Sequence, residues 1–139
     1  YCRQALEAVE AQLTADGPAY DRLVAHIRGA AESTIEDVDR RGCFLAKGTA
    51  ELADTDQAVS QRVRATFARL AELLTDCIAA AQRDGALAGD VDPGQLAATV
   101  LATLRGIEAL GKGGADAATL RAIAETTIKM LPRTDRAAA

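Results

Sequence analysis

The sequence has no tryptophan and only two tyrosines and two phenylalanines in 139 residues. A core built without aromatic bulk must come from Ala, Leu, Val and Ile on closely approaching backbones. With only three prolines as well, that composition points to helices. Cysteine is also scarce. Cys2, Cys43 and Cys77 are odd in number, far apart and without a Cys-x-x-Cys spacing. That excludes a disulfide framework and makes a reducing cytoplasm the expected compartment. No apolar run approaches the roughly 18–20 residues of a membrane span, and no membrane partner is expected. Arg3, Glu7 and Glu10 break the opening stretch and exclude a signal peptide.

Positive charge is not in excess. Sixteen Lys and Arg against 20 Asp and Glu give a formal net charge of −4, and a chain of that sign offers no clustered basic surface to nucleic acid. Arg40–Arg41, flanked by Asp37 and Asp39, reads as a solvated turn. His26 is the single histidine, so no second imidazole exists for a metal site. Glycine-rich phosphate loops, nucleophile elbows and Glu-x-x-His pairs are all missing. Neither catalysis nor a cofactor is expected.

What the chain does have is helical periodicity. Apolar residues are 49 % of the sequence, enough for one domain to bury a core. Leu6, Val9 and Leu13 share a face of a first helix over 2–14, stopped by Asp16-Gly17-Pro18. Tyr20, Leu23, Val24, Ile27 and Ala31 form the stripe of a second, from Ala19 to about 36. A short helix runs from Gly42 to Ala53. Asp54-Thr55-Asp56 offers caps for a long helix to about Asp84, with Val59, Val63, Phe67, Leu70, Leu74, Cys77 or Ile78, and Ala81 facing inward. Gly85 stops it, and Leu87 packs back from the loop.

Asp92 and Pro93 then start a helix to Gly111 that is apolar around most of its circumference. After the glycine turn, Asp116 caps a last helix ending near Leu131. The excess apolar surface on this final hairpin predicts a homodimer through a four-helix bundle. Leu96, Val100, Ile107 and Leu110 would supply one arm, with Leu120, Ile123 and Thr127 on the other. The fold expected is therefore all-α, an antiparallel bundle of about six helices. Residues 1–131 would form the domain and 132–139 a polar, Ala-rich tail that frays.

The run RRGCFLAKGTAELADTDQAVSQRVRATFARLAELLTDCIAAAQRDGALAGDVDPGQLAATVLATLRGIEAL resembles the C-terminal regulatory domain of tetracycline-repressor-type (TetR/AcrR) transcriptional regulators. The landmarks are the RGC-F-L opening, the A-E-L-A helix end, A-Q-x-x-G-x-L, the D-x-D-P start and G-I-E-A-L, over about residues 40–131. The resemblance implies a homodimeric bundle from the last two helices, an effector pocket enclosed by the earlier ones, and a regulator, expected to be a bacterial repressor. It also implies an N-terminal helix-turn-helix unit that is not in this sequence. Operator DNA would be bound only through that unit. The chain opens without Met inside a helical pattern, and a fragment of a longer protein is expected. The alternative is a stand-alone helical small-molecule or lipid carrier, or a scaffold, without a DNA partner.

Candidate ligand contacts follow from burial cost. Cys43 and Lys47 share a face of the short helix, with Phe44 and Glu51 beside it. Either Lys47 faces a cavity, where it needs an acidic partner, or it pairs weakly with Glu51 at the surface. Cys43 is either a small core residue or a thiol sensor. His26, at the edge of its stripe, either holds one backbone hydrogen bond or touches the ligand. Phe67, Leu70 and Leu104 are core residues by spacing and pocket walls by the resemblance. Thr66, Thr99 and Thr103 could add hydroxyls. A small, mainly apolar effector fits this lining best.

Overall fold

The computed structural model describes residues 2–37 and 56–135. Among them the chain forms five helices, α1 (Cys2–Leu13), α2 (Ala19–Glu36), α3 (Gln57–Arg83), α4 (Pro93–Lys112) and α5 (Ala117–Lys129). The fold is all-α. The short helix expected at 42–53 lies outside the described residues, and Cys43, Phe44 and Lys47 with it.

Helix ends are set by local chemistry that the sequence announces. Asp56 Oδ1 accepts from the Ala58 and Val59 amides at 2.9 and 3.3 Å. Asp92 accepts from Gln95 at 2.9 Å, with Pro93 in the first turn, and Asp116 from Thr119 at 2.8 Å. Each carboxylate satisfies amides that the first turn leaves without partners. Those bonds hold the Asp116 carboxyl below its ordinary pKa.

The C-termini of α3 and α4 close alike. Gly85 and Gly114 take positive φ, 79° and 99°. The next residues bond back across the last turn, Ala86 N–H to Ala81 and Ala115 N–H to Leu110, both at 3.0 Å. This double closure needs a residue free of a Cβ at its turning point. It folds α4 back on α3 and α5 back on α4.

The core is aliphatic. Leu23, Ile27, Leu74, Ile78, Leu87, Val100, Leu104, Ile107 and Leu120 are all fully buried, each worth about 1.5–3 kcal/mol of transfer free energy. A smaller cluster, Val63 and Leu70 flanked by Leu6, Val9, Val59, Phe67 and Leu101, joins α1, α3 and α4. Phe67 is only half-buried there. The Cys77 thiol, buried in the main core, donates to the Ala19 carbonyl at 3.3 Å. Burial holds its pKa above the ordinary value.

Two connections depend on side chains that no periodicity points to. Gln82 Nε2 donates to the carbonyls of Ala88 and Val91, at 2.9 and 2.7 Å, and so fixes the loop between α3 and α4. Pro132, Arg133 and Thr134, expected in the tail, bond back to the fold. The Ala88 amide donates to the Pro132 carbonyl at 2.7 Å, Thr134 bonds Ala86 and Gly85, and Arg133 lies over the Tyr20 ring at 4.3 Å.

α5 rests on α2 and α4. Arg28 of α2 grips Glu125 of α5 at 2.7 and 3.1 Å, and Arg121 of α5 grips Glu32 of α2 at the same distances. Each pair is a two-pronged guanidinium–carboxylate fork. The forks raise both arginine pKa values and lower both glutamate values. Where α4 meets α2, Gly111 lies against Thr34: a Cβ there would overlap the Thr34 Cγ2 methyl and sit 3.4 Å from Leu120.

The expected dimer face needs correction. Val100, Ile107 and Leu120 are enclosed by their own chain, at 1 %, 0 % and 2 % exposure, because α2, α3, α4 and α5 pack together around them. Leu96, Ile123 and Thr127 are half-buried, and Leu110 is 49 % exposed. The outward side of α4 carries small groups instead: Ala98, Thr99, Ala102 and Ala109 are exposed, and open space surrounds the position a Cβ of Gly106 would occupy. Met130, at the end of α5, is 77 % exposed.

Candidate functional site

The convergence of α1, α2 and α4 places polar groups where aliphatic side chains would be expected. His26 projects from α2 between Leu23 and Ile27 and is the one buried polar or charged residue among the described ones, at 8 % exposure. Its Nδ1 lies 2.9 Å from Gln12 Oε1 of α1. An amide oxygen only accepts, so Nδ1 carries the hydrogen and donates it. Burial, and then the positive charge of Arg105 on α4, push the His26 pKa down from 6.5 to about 4. The imidazole is therefore neutral at neutral pH.

Arg105 in turn pairs with Glu108, Nη2 to Oε1 at 3.1 Å, with the two side chains only 22 % and 20 % exposed. Leu101, Arg105 and Glu108 follow one another at spacings of four and three, so they share a face of α4. Leu101 packs onto the Val63–Leu70 cluster with Leu6, Val9 and Phe67. The junction thus has an apolar side and a polar side on neighbouring turns. A salt bridge from Arg69 of α3 to Glu10 of α1, at 2.7 Å, ties down α1 beside it.

Among the residues expected here, His26 lies in the polar part, and Phe67 and Leu70 in the apolar cluster. Leu104 is not a wall: it is sealed in the main core at 0 % exposure because α4 turns it toward α2 and α3. Thr103 is not a free donor either. Its hydroxyl bonds the Thr99 carbonyl at 3.0 Å, while Thr66 and Thr99 bond back within their own helices in the same way. Reading by stripes missed Gln12, Arg105 and Glu108. The signal for the last two was there: an Arg-x-x-Glu pair set between Leu104 and Leu110 in a largely apolar helix. Gln12 left none.

Among the described residues no group of three His, Cys, Asp or Glu side chains could hold a metal ion. No described helix is long and apolar enough to cross a membrane.

Among the described residues, helices folded back by glycine turns around an aliphatic core, with a polar junction at one side, define an all-α domain. The family model for the tetracyclin repressor-like C-terminal domain matches residues 19–127, and the chain belongs to that family. The match starts well before residue 40, where the resemblance in the sequence began, and takes in α2. The fold is similar to the crystal structure of a TetR-family transcriptional regulator from Cytophaga hutchinsonii, with a TM-score of 0.76 over 91 % of this chain at 17 % identity. The chain spans 64 % of the length of that regulator. No curated protein matches the chain.

Proposed function

We propose that this chain is the effector-binding and dimerisation part of a cytoplasmic bacterial transcriptional regulator, acting as a repressor by binding rather than by catalysis. Residues 1–131 form the domain. Its effector is a small, mainly apolar molecule received between α1, α2, α3 and α4, against Leu6, Val9, Phe67, Leu70 and Leu101, with His26 as a polar contact. α1 links this site to a helix-turn-helix unit outside the sequence, and operator DNA is bound through that unit alone. Effector binding stabilises one of two packings of α1 on α3, so the response is limited by the effector's differential affinity for the two.

The observation that carries this reading is the family match over 19–127, which covers α2, α3 and α4 of the junction and leaves α1 outside it. Homodimerisation uses the outward side of α4 with α5. Glycine inside a helix costs about 1 kcal/mol relative to alanine, yet among the described residues nothing meets the position of a Gly106 Cβ. Close approach of a second backbone across Ala98, Ala102 and Gly106 accounts for that. Light scattering at micromolar concentration should give a dimer for the native chain and a folded monomer for Ala102→Arg. A native monomer would discard this interface.

A further inference from the structure

α5 ends at Lys129, and Pro132, which has no N–H, cannot resume it. The chain crosses instead to the loop between α3 and α4, where Leu87 and Arg133 pair as an antiparallel β-bridge. The Ala88 amide donates to the Pro132 carbonyl at 2.7 Å, and the Thr134 amide to the Ala86 carbonyl at 3.3 Å. The Thr134 hydroxyl donates to the Gly85 carbonyl at 2.7 Å, and the Arg133 guanidinium lies 4.3 Å from the centre of the Tyr20 ring. Three separate parts of the fold meet there: the start of α2, the loop and the end of α5. We infer that residues 131–134 are a clasp with two states, which opens and recloses as one unit while the helices stay folded.

The clasp is held differently from the helices it joins. Leu131 alone of the four is buried, at 5 %, while Pro132 and Thr134 are half-buried and Arg133 is exposed. α5 is anchored in the core by Leu120, Ala124 and Ile128, none of which belongs to the clasp. Apolar burial is the main stabilising contribution, so the clasp releases at a lower cost than a core helix. Its seat outlasts the release. Gln82 holds the Ala88 and Val91 carbonyls from α3, at 2.9 and 2.7 Å, and keeps the loop in shape as a template for reclosure. The clasp lies beyond residues 19–127, outside the matched domain. Closed, it fixes the end of α5 beside the outward-facing Met130; open, it lets that end fray. It forms within one chain and does not depend on the dimer reading.

Native-state hydrogen exchange of the 139-residue chain, followed by NMR, tests this. The Ala88 and Thr134 amides should show equal protection, at least about tenfold below that of Ile78 and Leu104 in the core. Arg133→Ala removes the ring contact at an exposed position. It should lower the protection of Ala88 and Thr134 by one shared factor of about two to five, and leave Ile78 and Leu104 unchanged. Ala88 exchanging together with Ile78 and Leu104 would mean that the clasp opens only when the whole chain unfolds, and overturns the proposal. Unequal protection of Ala88 and Thr134, or unequal responses to Arg133→Ala, overturns it too, because the segment is then not one unit. A variant with native protection at both amides removes Arg133 from the clasp and refutes the proposal as stated.

Discussion

Acidification should destabilise this protein through His26 before it does so through any carboxylate. The imidazole pKa falls from 6.5 in the open chain to about 4 in the fold, so between those values the unfolded chain holds a proton that the folded one excludes. Stability is therefore complete above pH 6.5 and declines as pH falls toward 4. The full displacement amounts to about 3 kcal/mol, at about 1.4 kcal/mol for each unit of pKa, and about 2 kcal/mol of it should be gone by pH 5. The assay is urea unfolding at pH 7, 6 and 5 for the native chain and for His26→Gln. Glutamine keeps an N–H toward Gln12 and cannot titrate, so the difference between the two curves isolates the ring. Because the chain has one histidine, its NMR titration needs no assignment. Parallel losses in both proteins, or a ring that titrates near 6.5, would refute the reasoning.

Two further outcomes are expected from the helix contacts. Gly111→Ala should cost about 1–3 kcal/mol, because the new methyl overlaps Thr34, a β-branched side chain whose hydroxyl is held at 2.8 Å by the Ala30 carbonyl. Chemical denaturation measures it, and an unchanged midpoint would mean that α2 and α4 separate freely. Arg28→Glu should lower the melting temperature at low salt, and adding Glu125→Arg should restore most of it. The loss should shrink as salt rises, since the groups are half exposed; a double variant no better than the single one would deny the pairing.

The scaffold was legible because its rules are local. The carboxylates at 56, 92 and 116 announce helix starts, the glycines at 85 and 114 announce reversals, and stripes at spacings of three and four mark the core faces. The site was less legible because its polar groups meet across helices. Gln12 and His26 are close only because α1 folds back along α2, and neither sits in a pattern of its own. The helix 93–112 was only partly legible for a related reason. Apolar residues around most of its circumference suggested a surplus to be covered by a partner, but α2, α3 and α5 bury Val100 and Ile107 within one subunit and leave Ala98 and Ala102 on the outward side. Periodicity gives the width of an apolar face, not the number of neighbours that close over it.

The paired forks between α2 and α5 have alternating sign along both helices, and that alternation makes the contact a ratchet stop. If α5 slid by one turn in one direction, Arg121 would face Arg28; in the other direction, Glu125 would face Glu32. Either slip sets like charge against like. Lateral creep is barred both ways, while a hinge-like lift of one helix from the other meets no such barrier. Of the two displacements, only the slide brings like charges together.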